Sequence, residues 1–229
     1  MIKNNILLAC SKNWFLKNPE VKKFIRKKNI ILIRKKKQLT LKKIKEKKIS
    51  LAFFPHWSFK VEQNILDNAT CICFHTSPLP YGRGGSPIQN LIKKKFKKSP
   101  VCALKMVNNI DGGPIYLKKT VSLSGNLDQI FERLAIEIIK MIKTLIKKKI
   151  KPKIQIGKPF YFKRIGVGDN KIKNIESIYD IYDKIRMLDS KDYSNAYIIF
   201  GKYIISFNSA KIKNNKINCT AKIIEHRKN

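Results

Sequence analysis

Two residues of this chain, His75 and Asp111, combine a reactive side chain with a neighbourhood that could present it. His75 closes a short apolar run rich in β-formers, residues 70–74, and Pro78, Pro80, Gly82, Gly84 and Gly85 punctuate the chain directly after it. That composition requires a tightly turned loop. Asp111 stands in a second turn, Ile110-Asp111-Gly112-Gly113-Pro114-Ile115. An imidazole at a strand end can donate to an oxygen that gains charge. A nearby carboxylate can hold that imidazole protonated and accept protons through water. Taken singly, neither residue settles the matter, since a lone histidine after a strand is often structural and Asp-Gly-Gly is a common plain turn.

The surrounding pattern supplies a frame for both. From Pro87 the apolar residues Ile88, Leu91 and Ile92 share one helical face, with Ser86 as the expected N-cap and Pro87 at the first helical position. Residues 5–10, 29–34 and 49–54 read as strands, with a helix over 39–48 and another over 60–66. Strands follow at 101–107 and 115–123. Residues 126–149 form the longest expected helix, where Asn126 and Gln129 can make a capping box and Ile130, Leu134, Ile138, Met141 and Leu145 form a core stripe. Strands alternating with helices predict an α/β fold, a mostly parallel sheet with helices on both faces. The strand before His75 would then end at the carboxyl edge, where ligands of open sheets sit, and residues 101–107 would lie beside it.

Composition narrows the class. The chain has 229 residues, 43% of them hydrophobic, enough for one substantial domain with a small appendage. No apolar run reaches the length of a membrane span, and residues 6–10 read as a strand without a preceding leader pattern, so a cytoplasmic location is expected. Cys10, Cys71, Cys73, Cys102 and Cys219 read as reduced thiols, and their spacing does not suit a metal site. The formal charge of +35 points to an anionic partner such as nucleic acid, bound non-specifically. Lysines scattered over every surface helix, with only seven arginines, fit compositional drift as well.

The spacing His75-x-Ser77-x-Leu79-Pro80-x-x-Arg83-Gly84-x-x-Pro87 resembles the signature loop of the folate-dependent formyltransferases, and Ile110-Asp111-Gly112-Gly113-Pro114-Ile115 resembles their second signature. The resemblance implies a Rossmann-like sheet and transfer of a formyl group from 10-formyltetrahydrofolate to a primary amine. His75 would be the electrophile and Asp111 the proton-handling carboxylate. The family's Asn-x-His is replaced here by Cys73-Phe74-His75, which puts the oxyanion donor in question. A thiol is a weak donor, and losing one such donor typically costs on the order of 3 kcal/mol. Asn108 and Asn109 are candidate substitutes, and direct transfer needs no nucleophilic Cys73.

The same resemblance assigns Phe54, Pro55, His56 and Trp57, with Ile110 and Gly113, to the folate pocket, and Ser77, Arg83, Gly84 and Gly85 to the acceptor side. Arg83 fits a purely structural role equally well. The loop pattern with Phe53-Phe54-Pro55-His56-Trp57 before it is similar to short formyltransferase-like proteins of surface amino-sugar synthesis, so a small nucleotide-linked amino sugar is the expected acceptor, with the tRNA enzymes as alternative. A non-catalytic binding protein is the other alternative. The pattern shifts after Pro152, which suggests a catalytic domain over 1–152 and a small α+β subdomain over 153–229. That subdomain holds a helix over 176–188, strands over 196–200 and 203–207, and a last strand ending near Ile224. Its run Ile185-Arg186-x-Leu188-Asp189-x-x-x-Tyr193-x-Asn195-Ala196-Tyr197 resembles the C-terminal module of tRNA and sugar formyltransferases.

Overall fold

A computed structural model describes residues 5–225. The chain opens with β1 (Ile6–Ala9), α1 (Asn13–Lys17), α2 (Pro19–Ile25), β2 (Ile30–Ile33), α3 (Leu41–Glu46), β3 (Leu51–Phe54), α4 (Gln63–Asn68) and β4 (Thr70–His75). β1 pairs in parallel with β2 and β3, and β3 in parallel with β4. Successive strand side chains point to opposite faces, so one apolar run feeds two cores. Leu8, Phe53 and Ile72 join α1 and α2 on one side. Leu7, Ala52, Phe54 and Cys71 pack with Ile44 of α3 and Ile65 of α4 on the other.

Next come β5 (Tyr81–Gly84), α5 (Pro87–Lys93), β6 (Lys98–Lys105) and β7 (Ile115–Ser122). The main sheet has the order β2-β1-β3-β4-β6-β7, and β6 runs antiparallel to both its neighbours. The mostly parallel α/β sheet is therefore present, with an antiparallel end. α6 (Leu127–Lys147) carries the expected Asn126–Gln129 capping box and buries Ile130, Leu134, Ile138 and Met141. It shares the first core with Val101, Ala103 and Val121.

Ser86 departs from expectation. It precedes α5 in a left-handed conformation (φ +49°) and its hydroxyl does not cap the helix. The hydroxyl instead accepts the Ile165 N–H at 3.1 Å, which ties the loop to the segment that follows a neighbouring strand. That strand, β8 (Phe160–Phe162), pairs in parallel with β5. Lys153 also bridges Ile115, so residues just past 152 pack on the first sheet.

α7 (Ile178–Arg186) leads into an antiparallel meander of β9 (Ala196–Phe200), β10 (Tyr203–Lys213) and β11 (Lys216–Glu225). Ile185, Met187, Leu188 and Ala196 reach into the main core. Arg186 adds two bonds, from Nη1 to the Leu123 and Gly125 carbonyls at 2.6 and 2.9 Å. Asp189 accepts from Asn126 Nδ2 at 3.2 Å and Ser209 N at 3.0 Å.

Candidate active site

Alternation along β4 puts Cys73 and His75 on the same face, with Phe74 on the other. His75 is 7% exposed. Its Nε2 lies 2.7 Å from the Gly82 carbonyl oxygen. Gly82 sits at φ +83°, and a Cβ there would stand 2.5 Å from the Phe162 ring, so the turn that brings this carbonyl to the imidazole needs a glycine.

Asp111 arrives by a less direct path. His75 pairs with Cys102 and Ile72 with Lys105, so β6 ends level with the middle of β4. The loop after β6 must fold back to bring Asp111 Oδ2 to 3.3 Å from His75 Nδ1. The same oxygen accepts the Gly84 N–H at 2.9 Å. Both ring nitrogens thus face acceptors, and every N–H the imidazole carries has a partner.

A polar frame behind the loop holds it in this shape. Gln155 Nε2 donates to the carbonyls of Asp111 and Gly113 at 2.7 and 2.8 Å. Arg83 Nη2 donates to Gln155 Oε1 at 2.8 Å, and Arg83 Nη1 to the Tyr161 hydroxyl at 3.4 Å. That hydroxyl donates to Asn109 Oδ1 at 3.2 Å.

The pair opens on a cleft of about 860 Å³. Phe54, Trp57 and Phe59 form one wall, their rings edge to face at 6.1 and 5.2 Å. Asn108, Asn109 and Ile110, the last 64% exposed, also line the cleft. Of the residues singled out from sequence, Cys73, His75, Asp111, Phe54, His56, Trp57, Ile110, Gly84 and Gly85 line the cleft. Pro55, Ser77, Arg83 and Gly113 do not. Ser77 is fully buried and its hydroxyl has no hydrogen-bond partner among the described residues. Arg83 is buried behind the loop, where its guanidinium donates to Gln155 and Tyr161. Sequence reasoning missed Phe59, Trp14, Gln155 and Tyr161. The aromatic at 59, two residues from Trp57, was a usable signal, whereas nothing around Gln155 marks it out.

The thiols are poor nucleophiles here. Burial pushes the Cys73 thiol well up, and the Asp111 charge pushes it further. Burial also raises Cys71 to about 12 and Cys102 to about 11. Among the described residues no group of three His, Cys, Asp or Glu side chains could hold a metal ion.

His56 is held neutral. Its Nδ1 accepts the Trp14 indole N–H at 3.0 Å, and burial, helped by the Lys12 charge, lowers its pKa to about 4. The unfolded chain takes up this proton near pH 6.5, whereas the folded protein resists it. The associated stability is therefore present above pH 6.5 and is lost as pH falls toward 4. At full burial the loss would be about 3 kcal/mol, reduced by the partial opening of the ring to the cleft. Urea unfolding at pH 7 and pH 5 should show up to about 2 kcal/mol of this loss in the wild type and less in His56→Asn. Asparagine is chosen because it tolerates the left-handed backbone at this position, φ +55°.

Comparison with known proteins follows the same lines. The family model for the methionyl-tRNA formyltransferase C-terminal domain matches residues 168–224. The methionyl-tRNA formyltransferase of Campylobacter jejuni subsp. doylei is 35% identical over 123 residues, 52% of this chain and 40% of that protein. The chain thus matches less than half the length of that curated relative. A solved methionyl-tRNA formyltransferase from Clostridium thermocellum is 38% identical with a TM-score of 0.92, over 96% of this chain and 99% of that one. A sugar N-formyltransferase from Shewanella sp. FDAARGOS_354 shares the fold alone, at 18% identity and a TM-score of 0.64, over 86% of this chain and 93% of that one.

Proposed function

The chain belongs to the formyltransferase superfamily, and we propose that it transfers a formyl group from 10-formyltetrahydrofolate to a primary amine, the amine of methionyl-tRNA. The observation that carries the reaction is the His75–Asp111 pair at 3.3 Å on the wall of an aromatic-sided cleft. The edge-to-face group of Phe54, Trp57 and Phe59 suits a flat heterocycle, and the cleft volume is that of a small-molecule site.

Transfer forms a bond from the amine nitrogen to the formyl carbon, breaks the bond from that carbon to the donor nitrogen, and releases a proton from the amine. Asp111 is the carboxylate placed to accept that proton, directly or through water. His75, braced between the Gly82 carbonyl and Asp111, orients the Asp111 carboxylate and must turn an N–H away from one of these acceptors to donate to the developing oxyanion. Asn109 lines the cleft with its Oδ1 already bonded to Tyr161, which leaves the amide N–H₂ as a substitute for the donor missing at Cys73.

The acceptor reading rests on 38% identity maintained over nearly the whole chain and on a net charge of +35, which favours a polyanion. The amino-sugar acceptor suggested by the loop pattern has weaker support, because the sugar enzyme shares only the fold. Purified protein given labelled 10-formyltetrahydrofolate should label methionyl-tRNA and leave a panel of nucleotide-linked amino sugars unlabelled. Labelling of an amino sugar in place of tRNA would overturn the acceptor. Labelling of neither would overturn the reaction.

A further inference from the structure

A second hollow, of about 200 Å³, lies beside the cleft and shares Ser86, Gln89, Ile165 and Tyr193 with it. Its far wall comes from the segment that joins α7 to β9 and from Asn170. The polar groups are mostly fixed already. Asn170, buried, donates from Nδ2 to the Ser194 carbonyl at 2.9 Å. Gln89, also buried, donates from Nε2 to the Met187 carbonyl at 3.4 Å and bonds the Tyr193 hydroxyl.

Asp192 is the exception. Asp192 lines the hollow, and its carboxylate has no cation or hydrogen-bond donor within bonding distance among the described residues. In a chain with 50 lysines and arginines against 15 acidic residues, scarcity of cations does not explain this. Lys12 is close by, but its Nζ stands over the Tyr193 ring, 5.8 Å from the centroid. A half-exposed carboxylate that only accepts hydrogen bonds, in a hollow of one-ring size, is matched by a ring that carries hydroxyl donors.

We propose that this hollow receives the hydroxylated sugar ring of the acceptor, with Asp192 accepting a ring hydroxyl and thereby placing the attached amine in the cleft. The inference rests on the amine-transfer reading, and a sugar ring adjoins the reacting amine in both acceptor classes, as the terminal ribose of an aminoacyl-tRNA or as an amino sugar itself. Asp192 is a specificity-determining residue in this scheme and takes no part in proton transfer.

The test compares wild type, Asp192→Ala and Asp192→Asn on methionyl-tRNA ending in ribose or in 2′-deoxyribose, and on a nucleotide-linked amino sugar. On the acceptor that is used, Asp192→Ala should raise KM about tenfold with kcat unchanged, and Asp192→Asn should raise it less. On the 2′-deoxy acceptor, wild type and Asp192→Ala should share one raised KM. An equal loss on both tRNA acceptors, or no loss at all, overturns the proposal for ribose. An Asp192 effect confined to the amino sugar keeps the hollow and changes the acceptor class. Should the wild type transfer formyl to no acceptor, equilibrium dialysis of adenosine, 2′-deoxyadenosine and the nucleotide-linked amino sugar decides separately. Preference for a hydroxylated ligand that disappears in Asp192→Ala supports the hollow although the reaction reading has failed. Equal retention of all three by wild type and variant overturns it.

Discussion

His75→Ala is expected to lower kcat for formyl transfer by roughly 10³-fold, about 4 kcal/mol of transition-state free energy, while the protein stays folded. The loss is large because the imidazole links the Gly82 carbonyl of β5 to the Asp111 carboxylate at the reacting end of the cleft. Removing it leaves a carbonyl and a carboxylate without their shared partner. Asp111 still accepts the Gly84 N–H, so the loop keeps one anchor and the cost in folding stays at about 1–3 kcal/mol. Single-turnover rates on pre-bound acceptor, with circular dichroism as the control for folding, would measure the two effects separately. A kcat within tenfold of the wild type in folded His75→Ala would remove the imidazole from the chemistry. Asp111→Asn should produce a comparable loss with an even smaller change in stability, since the amide oxygen can still accept from Gly84.

Gly113→Ala is expected to cost about 3 kcal/mol, to lower Tm by roughly 6–12 °C and to abolish most of the activity, although Gly113 does not line the cleft. A Cβ at this position would fall 1.8 Å from the Lys105 carbonyl oxygen. That carbonyl belongs to the last residue of β6, whose N–H is already bonded to the Pro114 carbonyl at 2.9 Å, so the strand has little freedom to yield. The turn would have to move instead. Its carbonyls at Asp111 and Gly113 hang from Gln155, and the whole Arg83–Gln155–Tyr161 frame would be disturbed with it. Gly168→Ala is the matched control, since nothing lies within 4 Å of a Cβ there. Thermal unfolding and transfer rates of the two variants test the point directly. Wild-type stability in Gly113→Ala would show that the turn is softer than its contacts indicate.

These two residues also mark what could be read in advance. His75 was legible because its environment is local. An apolar run followed by prolines and glycines defines a strand end, and the strand end defines where the side chain emerges. The helical stripe of Ile130, Leu134, Ile138 and Met141 and the Asn126–Gln129 box were legible for the same reason, as periodicity and capping involve residues a few positions apart. The Asp111 turn and its pairing with His75 were anticipated through family resemblance, but the route between them was not. A parallel neighbour would have delivered Asp111 from a shared sheet edge, and β6 is antiparallel.

By itself, the amino-acid sequence determined the α/β class, the two signature turns and most of the strands and helices, apart from α1, α2, β5 and β8. Tertiary structure alone decided which loop residues face the cleft. Arg83 reaches Gln155 across 72 positions, Gln155 reaches the Asp111 carbonyl across 44, and the Ser86 hydroxyl meets Ile165 across 79. No local periodicity encodes such contacts. They arise where packing brings two segments together, and each buried polar group must then take whichever partner the fold has placed within reach.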